Sequence, residues 1–465
     1  MDPVAPVTPT ASPFRNQDLH AFVDQYLERH PDDAITIEEP VGADQDVTAF
    51  AVKLWREDRF PMLLFRDVEG FGGAPVLTNV FASRERVARI LGTDVEGIHA
   101  AYREAVAHRV QPRVVTDGPV LARRQDRDID VASIPMLRHF AQDKAPYLTS
   151  AIVLAHDDDT GVTNASYHRC MRAELDTLAT SLHSRGHLWV QLEKARERGE
   201  RLQVAVVIGG HPLFMLAASA RVGIDVDERD IAGGLFGAPL EVVETPRYGI
   251  GVPKSADFVL EGTIDPNARL EEGPFGEYSG YASARSTNNS IRVETILQRE
   301  DPMFLDIVSG HSPDHLNLGR IPRESDMVAK VRERFPNLAA LEYPASGTHF
   351  HCYASLAPAA PGLPRQVLVA LLGLDPYLKL AVVVDDDIDV RNEKEVLWAI
   401  ATRFQADRDL IVMSGLPGSL LDPSSTGGIT ARMGIDATRK PGFEGERVTI
   451  SERALENARR LLERL

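Results

Sequence analysis

The 465-residue chain has only two cysteines, Cys170 and Cys352. Two thiols are too few for a disulfide scaffold or a cysteine-built metal knuckle, and they fit a reducing compartment, so a cytoplasmic location is expected. Positive charge is also in short supply: 51 Lys and Arg stand against 68 Asp and Glu, a formal net charge of -17. That balance disfavours non-specific attraction to nucleic acid or an anionic membrane, so any anion must be held locally. No run of 18 or more apolar residues is present, which excludes an ordinary membrane-spanning helix. Met1 to Pro13, rich in Pro, Thr and Ala, lacks the basic and apolar regions of a secretory leader and is expected to be a frayed tail.

What is present is enough apolar material, 43% of residues, to fill two or three cores at this length. Residues 1–111 read as a mixed α/β unit, with helices expected at Gln17–His30, Val47–Trp55, Arg84–Leu91 and Val95–Ala107 and a buried strand at Pro61–Phe65. A polar passage from Pro112 to Ser133 opens a β-rich unit over residues 112–301. Its expected strands are Tyr147–Leu154, Leu188–Leu192, Gln203–Ile208, Leu240–Val243, Asp257–Gly262 and Ser290–Gln298. Close spacing of this kind suggests an antiparallel sheet or barrel. Residues 302–465 return to α/β texture, with helices at Met327–Phe335, Pro364–Leu372 and Glu393–Phe404 and a strand at Leu380–Val384. Pro302 and Pro322 mark candidate hinges. The final amphipathic helix, Glu452–Leu465, is expected to pack on its own domain or to serve an oligomer contact.

The most unusual stretch is Glu271 to Tyr281, with three carboxylates, three glycines, a proline and three aromatics in eleven residues. Neither a helix nor a half-buried strand selects that mixture, so it reads as a shaped loop carrying acids. Backbone fixed around Gly273, Pro274 and Gly276 would present Glu272 and Glu277 to one site; a surface turn with unrelated acids is the plainer alternative. Asn164, His168, Arg169 and His187 cluster in sequence but at no fixed spacing, and alone they read as structural. Glu228 lies in the acidic run Asp225–Asp230, which alone reads as a solvated face or helix start.

Together these segments carry a resemblance. Glu272 to Tyr281 resembles the signature loop of the UbiD family of reversible decarboxylases, which use prenylated FMN. Thr163 to Arg169, Gly186 to Trp189, Glu228 to Leu235, Gly237 to Val243, Ile321 to Glu324, Asp385 to Asp387 and Met433 to Thr438 follow the family's order and spacing. The resemblance implies an N-terminal α/β domain, a central split β-barrel that binds the flavin, and a C-terminal α/β domain whose last helix joins subunits.

For the site, it implies that Asn164, His187 and Glu228 bind a divalent ion, Mn²⁺ or Mg²⁺, at the cofactor phosphate, with K⁺ nearby. Oxygen donors plus one imidazole suit such an ion. Ser166, Tyr167, His168, Arg169, Ser219 and Arg432 complete the implied cofactor contacts, Arg432 replacing a lysine found in many relatives. Arg169, Glu272 and Glu277 are the implied catalytic network: Arg169 orders the acids and meets the substrate carboxylate, Glu272 stays ionised, and Glu277 moves the proton. The implied partners are a prenyl-flavin synthase as cofactor supplier and a second copy of the chain in a homodimer or higher assembly.

The expected reaction is release of CO2 from an aromatic or heteroaromatic acid, with the cofactor as electron sink. The polar run Ser309 to Asn317 favours a substrate with a ring heteroatom, a hydroxyl or a second carboxylate, although His311 and His315 serve equally as loop caps. Two rivals are a flavin-binding accessory protein, which leaves the acids without a task, and a hydrolase using Asn164, His187 and Glu228 to activate water.

Overall fold

The structure, a computed structural model, describes residues 12–182, 186–358 and 360–464. The fold is α/β, and each of its three principal sheets meets an expectation in a different way. In the N-terminal part, Ala34–Ile37, Met62–Phe65 and Val76–Thr78 form a sheet whose fourth strand, Phe304–Leu305, returns from far along the chain to pair parallel with Val76 and Leu77. A segment expected in the C-terminal unit thus closes the N-terminal sheet. The helices Leu19–Arg29, Asp46–Trp55, Arg84–Leu91 and Ile98–Ala107 lie where the apolar spacing puts them. Of the expected N-terminal tail, residues 1–11 lie outside the described residues. Ser12 is buried and donates to the Ile90 carbonyl at 2.6 Å, so the tail is anchored from that point.

The central sheet runs, in order, through Tyr147–Leu148, Cys170–Glu174, Thr177–Thr180, Asn289–Gln298, Phe258–Ile264, Leu202–Ile208, Ile152–Asp157 and Val162–Tyr167, with Arg123–Gln125 also paired to Asn289–Gln298. Its pairings are antiparallel, as the closely spaced strand signals anticipate. Leu188–Leu192 is not a strand: it lies in the helix His187–Arg198. Leu188, Leu192 and Ala195 are buried at intervals of four and three, a helical stripe that a five-residue window misreads.

The C-terminal sheet has the order Leu338–Glu342, His351–Leu356, Leu380–Asp385, Ile429–Asp436, Leu410–Pro417, parallel at its centre and antiparallel at both edges. The helix Leu363–Leu374 covers it with Val367, Leu368, Leu371 and Leu372, each worth about 1.5–3 kcal/mol when fully buried. Pro322 sits inside the helix Pro313–Arg334 rather than in a linker between units. The last helix, Glu452–Leu462, buries none of its residues, and Leu455, Leu461 and Leu462 are exposed, so it does not pack on its own domain. Among the described residues no helix is long and apolar enough to cross a membrane.

Candidate active site

The acidic loop is held in place before any ligand is considered. The Gly276 amide donates to Asp143 Oδ1 at 2.8 Å, and a Cβ at Gly276 would run into the Phe140 ring, so only glycine fits there. The Gly280 amide donates to the Glu277 carbonyl and the Glu277 amide to the Tyr281 carbonyl, closing a tight turn. Glu272 and Glu277 are turned inward and buried. Glu271, by contrast, points to solvent with Lys144 3.1 Å away.

Arg169, supplied by the short link after Val162–Tyr167, lies between the two buried acids. Its Nε donates to Glu272 Oε1 at 2.8 Å and its Nη2 to Glu272 Oε2 at 2.9 Å, while Nη1 donates to Glu277 Oε1. Nη2 also reaches the Arg285 carbonyl at 3.0 Å, and the guanidinium lies over the Phe275 ring, 4.7 Å from its centre. Burial works against the Arg169 charge, but the paired carboxylates outweigh it and hold the guanidinium protonated. For Glu277 burial wins: its pKa is raised, with Arg169 opposing the rise and the nearby Glu272 and Asp143 adding to it. Glu272 Oε1 also accepts from the Tyr147 hydroxyl at 2.9 Å. Tyr147 and Asp143 were not singled out from the sequence; a buried tyrosine and a loop aspartate carry no spacing signal of their own.

A second group of polar side chains lies further back along the same strand. Asn164, Ser166 and His168 alternate onto one face: Asn164 Nδ2 donates to Ser166 Oγ at 2.9 Å, and Ser166 Oγ is 3.0 Å from His168 Nε2. Asn164 Oδ1 is buried and has no hydrogen-bond partner. Glu228 opens the helix Glu228–Phe236, with Oε2 accepting from the Ala165 amide at 2.8 Å and Oε1 3.8 Å from His187 Nδ1. His187 in turn opens the helix His187–Arg198. Two helix starts therefore bring a carboxylate and an imidazole within 3.8 Å of each other, with the carboxylate bound to the backbone of the strand that carries Asn164. Among the described residues no three His, Cys, Asp or Glu gather as a metal site, so a cation held here would need the asparagine as its third donor. A buried amide oxygen without a partner, a carboxylate and an imidazole are donor types that fit a divalent cation.

The remaining expected contacts divide. The Ser219 hydroxyl caps its own helix, donating to the Leu216 carbonyl at 2.8 Å, and the Tyr167 hydroxyl donates to the Met215 carbonyl from the opposite face of the strand. Arg432 is not a free cation: its guanidinium donates to the carbonyls of Leu372, Pro376 and Pro417. Through these bonds it ties the C-terminal unit together. His311 Nε2 lies 2.9 Å from the Ala345 carbonyl and His315 Nδ1 lies 3.1 Å from the Gly310 carbonyl, so both carry out loop capping. A cavity of about 460 Å³ opens beside Glu277, with Phe140, Tyr281, Ser309 and Arg56 in its wall.

Family descriptions of 3-octaprenyl-4-hydroxybenzoate carboxy-lyase match most of the chain: the N-terminal domain at residues 26–106, the Rift-related domain at 113–312 and the C-terminal domain at 316–437. The chain is 35% identical over 387 residues to anhydromevalonate phosphate decarboxylase of Aeropyrum pernix, covering 82% of this chain and 85% of that protein. It also resembles the UbiD-class enzyme HmfF from Pelotomaculum thermopropionicum in complex with FMN, at 34% identity and a TM-score of 0.88, covering 93% and 97% of the two chains. An evolved dimeric form of HmfF in complex with prFMN gives 31% identity and a TM-score of 0.85, covering 94% and 98%. Vanillic acid decarboxylase from Sedimentibacter hydroxybenzoicus gives 27% identity and a TM-score of 0.83, covering 96% and 99%.

Proposed function

The chain belongs to the UbiD family of prenylated-FMN-dependent carboxy-lyases, and from that premise we propose that it removes CO2, reversibly and without net oxidation, from an aromatic or heteroaromatic acid. The observation that carries the reading is Arg169 held between two buried acids of unequal environment. Arg169 orients the acids and meets the substrate carboxylate. Glu272 stays ionised as its fixed partner. Glu277, whose pKa is raised by burial, delivers a proton to the carbon that loses CO2 and takes one back in the reverse direction.

When bound, prenylated FMN supplies the electron sink for the pair left by the departing CO2. Asn164, His187 and Glu228 hold a divalent ion, Mn²⁺ or Mg²⁺, at the cofactor phosphate; the orphaned Asn164 Oδ1 supports this. Asn164 lies three residues before the end of the strand Val162–Tyr167, roughly 10 Å at about 3.3 Å per residue, and Arg169 lies two residues beyond that end. That length suits a ligand with its phosphate at one end and its reacting ring at the other. The unpacked C-terminal helix supports assembly as a homodimer or higher oligomer.

The aromatic reading draws support from the vanillic acid decarboxylase. A second reading, a phosphorylated acid, is favoured by the 35% identity to a protein named for anhydromevalonate phosphate. The test is to co-express the chain with a prenyl-flavin synthase, identify the bound cofactor by mass, and measure CO2 release over a panel of both acid types. Absence of any flavin-derived species would sink the proposal.

A further inference from the structure

The acidic loop rests on a second segment, residues 138–147. The Lys144 amide donates to the Pro274 carbonyl at 3.0 Å, the Tyr147 hydroxyl reaches Glu272, and the Phe140 ring occupies the space that a Cβ at Gly276 or Gly310 would need. Asp143 is the acid of this segment, and it is only 2% exposed. Both of its side-chain oxygens accept from backbone amides, Oδ1 from Gly276 at 2.8 Å and Oδ2 from Phe140 at 3.0 Å. The two cations of the segment are engaged elsewhere: Arg138 Nη1 with Asp44 and Lys144 with Glu271. The Asp143 carboxylate is therefore met by amides rather than by an ion pair. Its place is fixed from behind, because Arg138 Nε donates to the Asp143 carbonyl at 2.9 Å and the buried His139 ring sits between Thr48 and Asp306.

A buried acid bound to the Gly276 amide stands one peptide away from Glu277. Burial favours a proton on Glu277, Arg169 opposes it, and the like charges of Glu272 and Asp143 favour it. Tyr278, next in the chain, is no competing anion, since burial pushes its hydroxyl up to about 12. Arg56 and His311 stand in the cavity wall that Glu277 shares. The two neighbouring acids differ in one respect. Glu272 is bound edge to edge by the same guanidinium that holds Glu277, so its repulsion comes with a compensating cation. No lysine or arginine offsets the charge of Asp143 in that way.

We propose that Asp143 is a positioning residue for the proton transfer: anchored on the Gly276 amide, its buried charge keeps the proton on Glu277 until the substrate carbon takes it. The inference rests on the decarboxylase reading, but its first test needs no turnover. Infrared difference spectra of the cofactor-loaded protein over a pH series, assigned by subtraction of Glu277→Gln, follow the Glu277 carboxyl band through its titration. Asp143→Asn is isosteric and keeps an oxygen for the Gly276 amide. In that variant the midpoint is expected about one pH unit lower than in the native protein. The limb on which kcat falls with rising pH is expected to move with it, so that activity above the limb drops by up to about tenfold while the acid plateau is largely kept. Asp143→Ser, a second neutral variant, is expected to shift the midpoint the same way. Unchanged midpoints in both, with kcat lowered equally at every pH, would make Asp143 a structural anchor only and overturn the proposal. A native Glu277 that is fully ionised well below neutral pH would overturn it without any variant. A shifted midpoint in a protein that releases CO2 from no acid tested would count against the decarboxylase reading and leave the coupling of Asp143 to Glu277 standing.

Discussion

Arg169 and Glu272 meet edge to edge, Nε to Oε1 at 2.8 Å and Nη2 to Oε2 at 2.9 Å. Tyr147 adds a third donor to the same carboxylate. Glu277 receives only Nη1 from that guanidinium. Hydrogen bonds to charged groups contribute about 1.5–3 kcal/mol each, so three donors hold the Glu272 carboxylate in place more firmly than one holds Glu277, whose pKa burial raises. The two carboxylates share one guanidinium but not one environment.

The pH dependence follows from that inequality. Burial raises the Glu277 pKa above the ordinary carboxylate value, so the protonated form persists to higher pH. Because decarboxylation needs that proton, kcat is expected to fall as pH rises through the raised pKa, by up to about tenfold per pH unit. Measured kcat from pH 5 to 9 checks it; a rate that climbs steadily over that range contradicts the assignment of Glu277 as donor.

Metal binding should depend on the asparagine oxygen that now lacks a partner. Removing an outer-shell partner of a metal ligand costs about 10–100-fold in affinity, so deleting a ligand should cost at least about 100-fold. Asn164→Ala is therefore expected to bind Mn²⁺ at least that much more weakly in calorimetric titration, and to retain less cofactor. Equal Mn²⁺ affinity in the variant would remove Asn164 from the metal set.

Gly276 tests how the loop is held. A methyl group there would collide with the Phe140 ring, and overpacking of this kind costs typically about 1–3 kcal/mol. Gly276→Ala is expected to lower the stability measured by denaturant unfolding by that amount and to cut activity by displacing Glu277. Adding Phe140→Ala should recover much of the stability. No change on Gly276→Ala would mean that the loop is looser than its contacts indicate.

The exposed C-terminal helix makes a prediction about assembly. Leu455, Leu461 and Leu462 are exposed on a helix that buries nothing within the chain, and apolar stripes of this kind mark association surfaces. A chain ending at Ile450 is expected to sediment as a smaller species than the full chain. Identical sedimentation of the two would leave the helix without a role in assembly.

Much of this was legible in the sequence, for reasons that differ by residue. Glu272, Glu277 and Arg169 stand in segments whose order and glycine pattern are distinctive, and the structure brings them together across about a hundred residues. A helix start was one reading of the acidic run at Glu228, whereas the one at His187 was harder to read. Leu188–Leu192 alone is as apolar as a strand, and only the continuation to Ala195 reveals the helical stripe. Leu410–Pro417 and Ile429–Asp436 went unread because the first is an edge strand that buries almost nothing. The carbonyls around Arg432 had no signal, because position in sequence says nothing of what surrounds a guanidinium.

The central claim is that Glu277 moves the proton within the Arg169 network. The most direct measurement is hydrogen–deuterium exchange at the carbon that loses CO2, followed by NMR on the decarboxylated product incubated in D2O with cofactor-loaded protein. The native protein is expected to catalyse exchange, and Glu277→Gln, with cofactor still bound, to slow it by about 10²–10⁴-fold. Exchange at the native rate in Glu277→Gln would contradict the account.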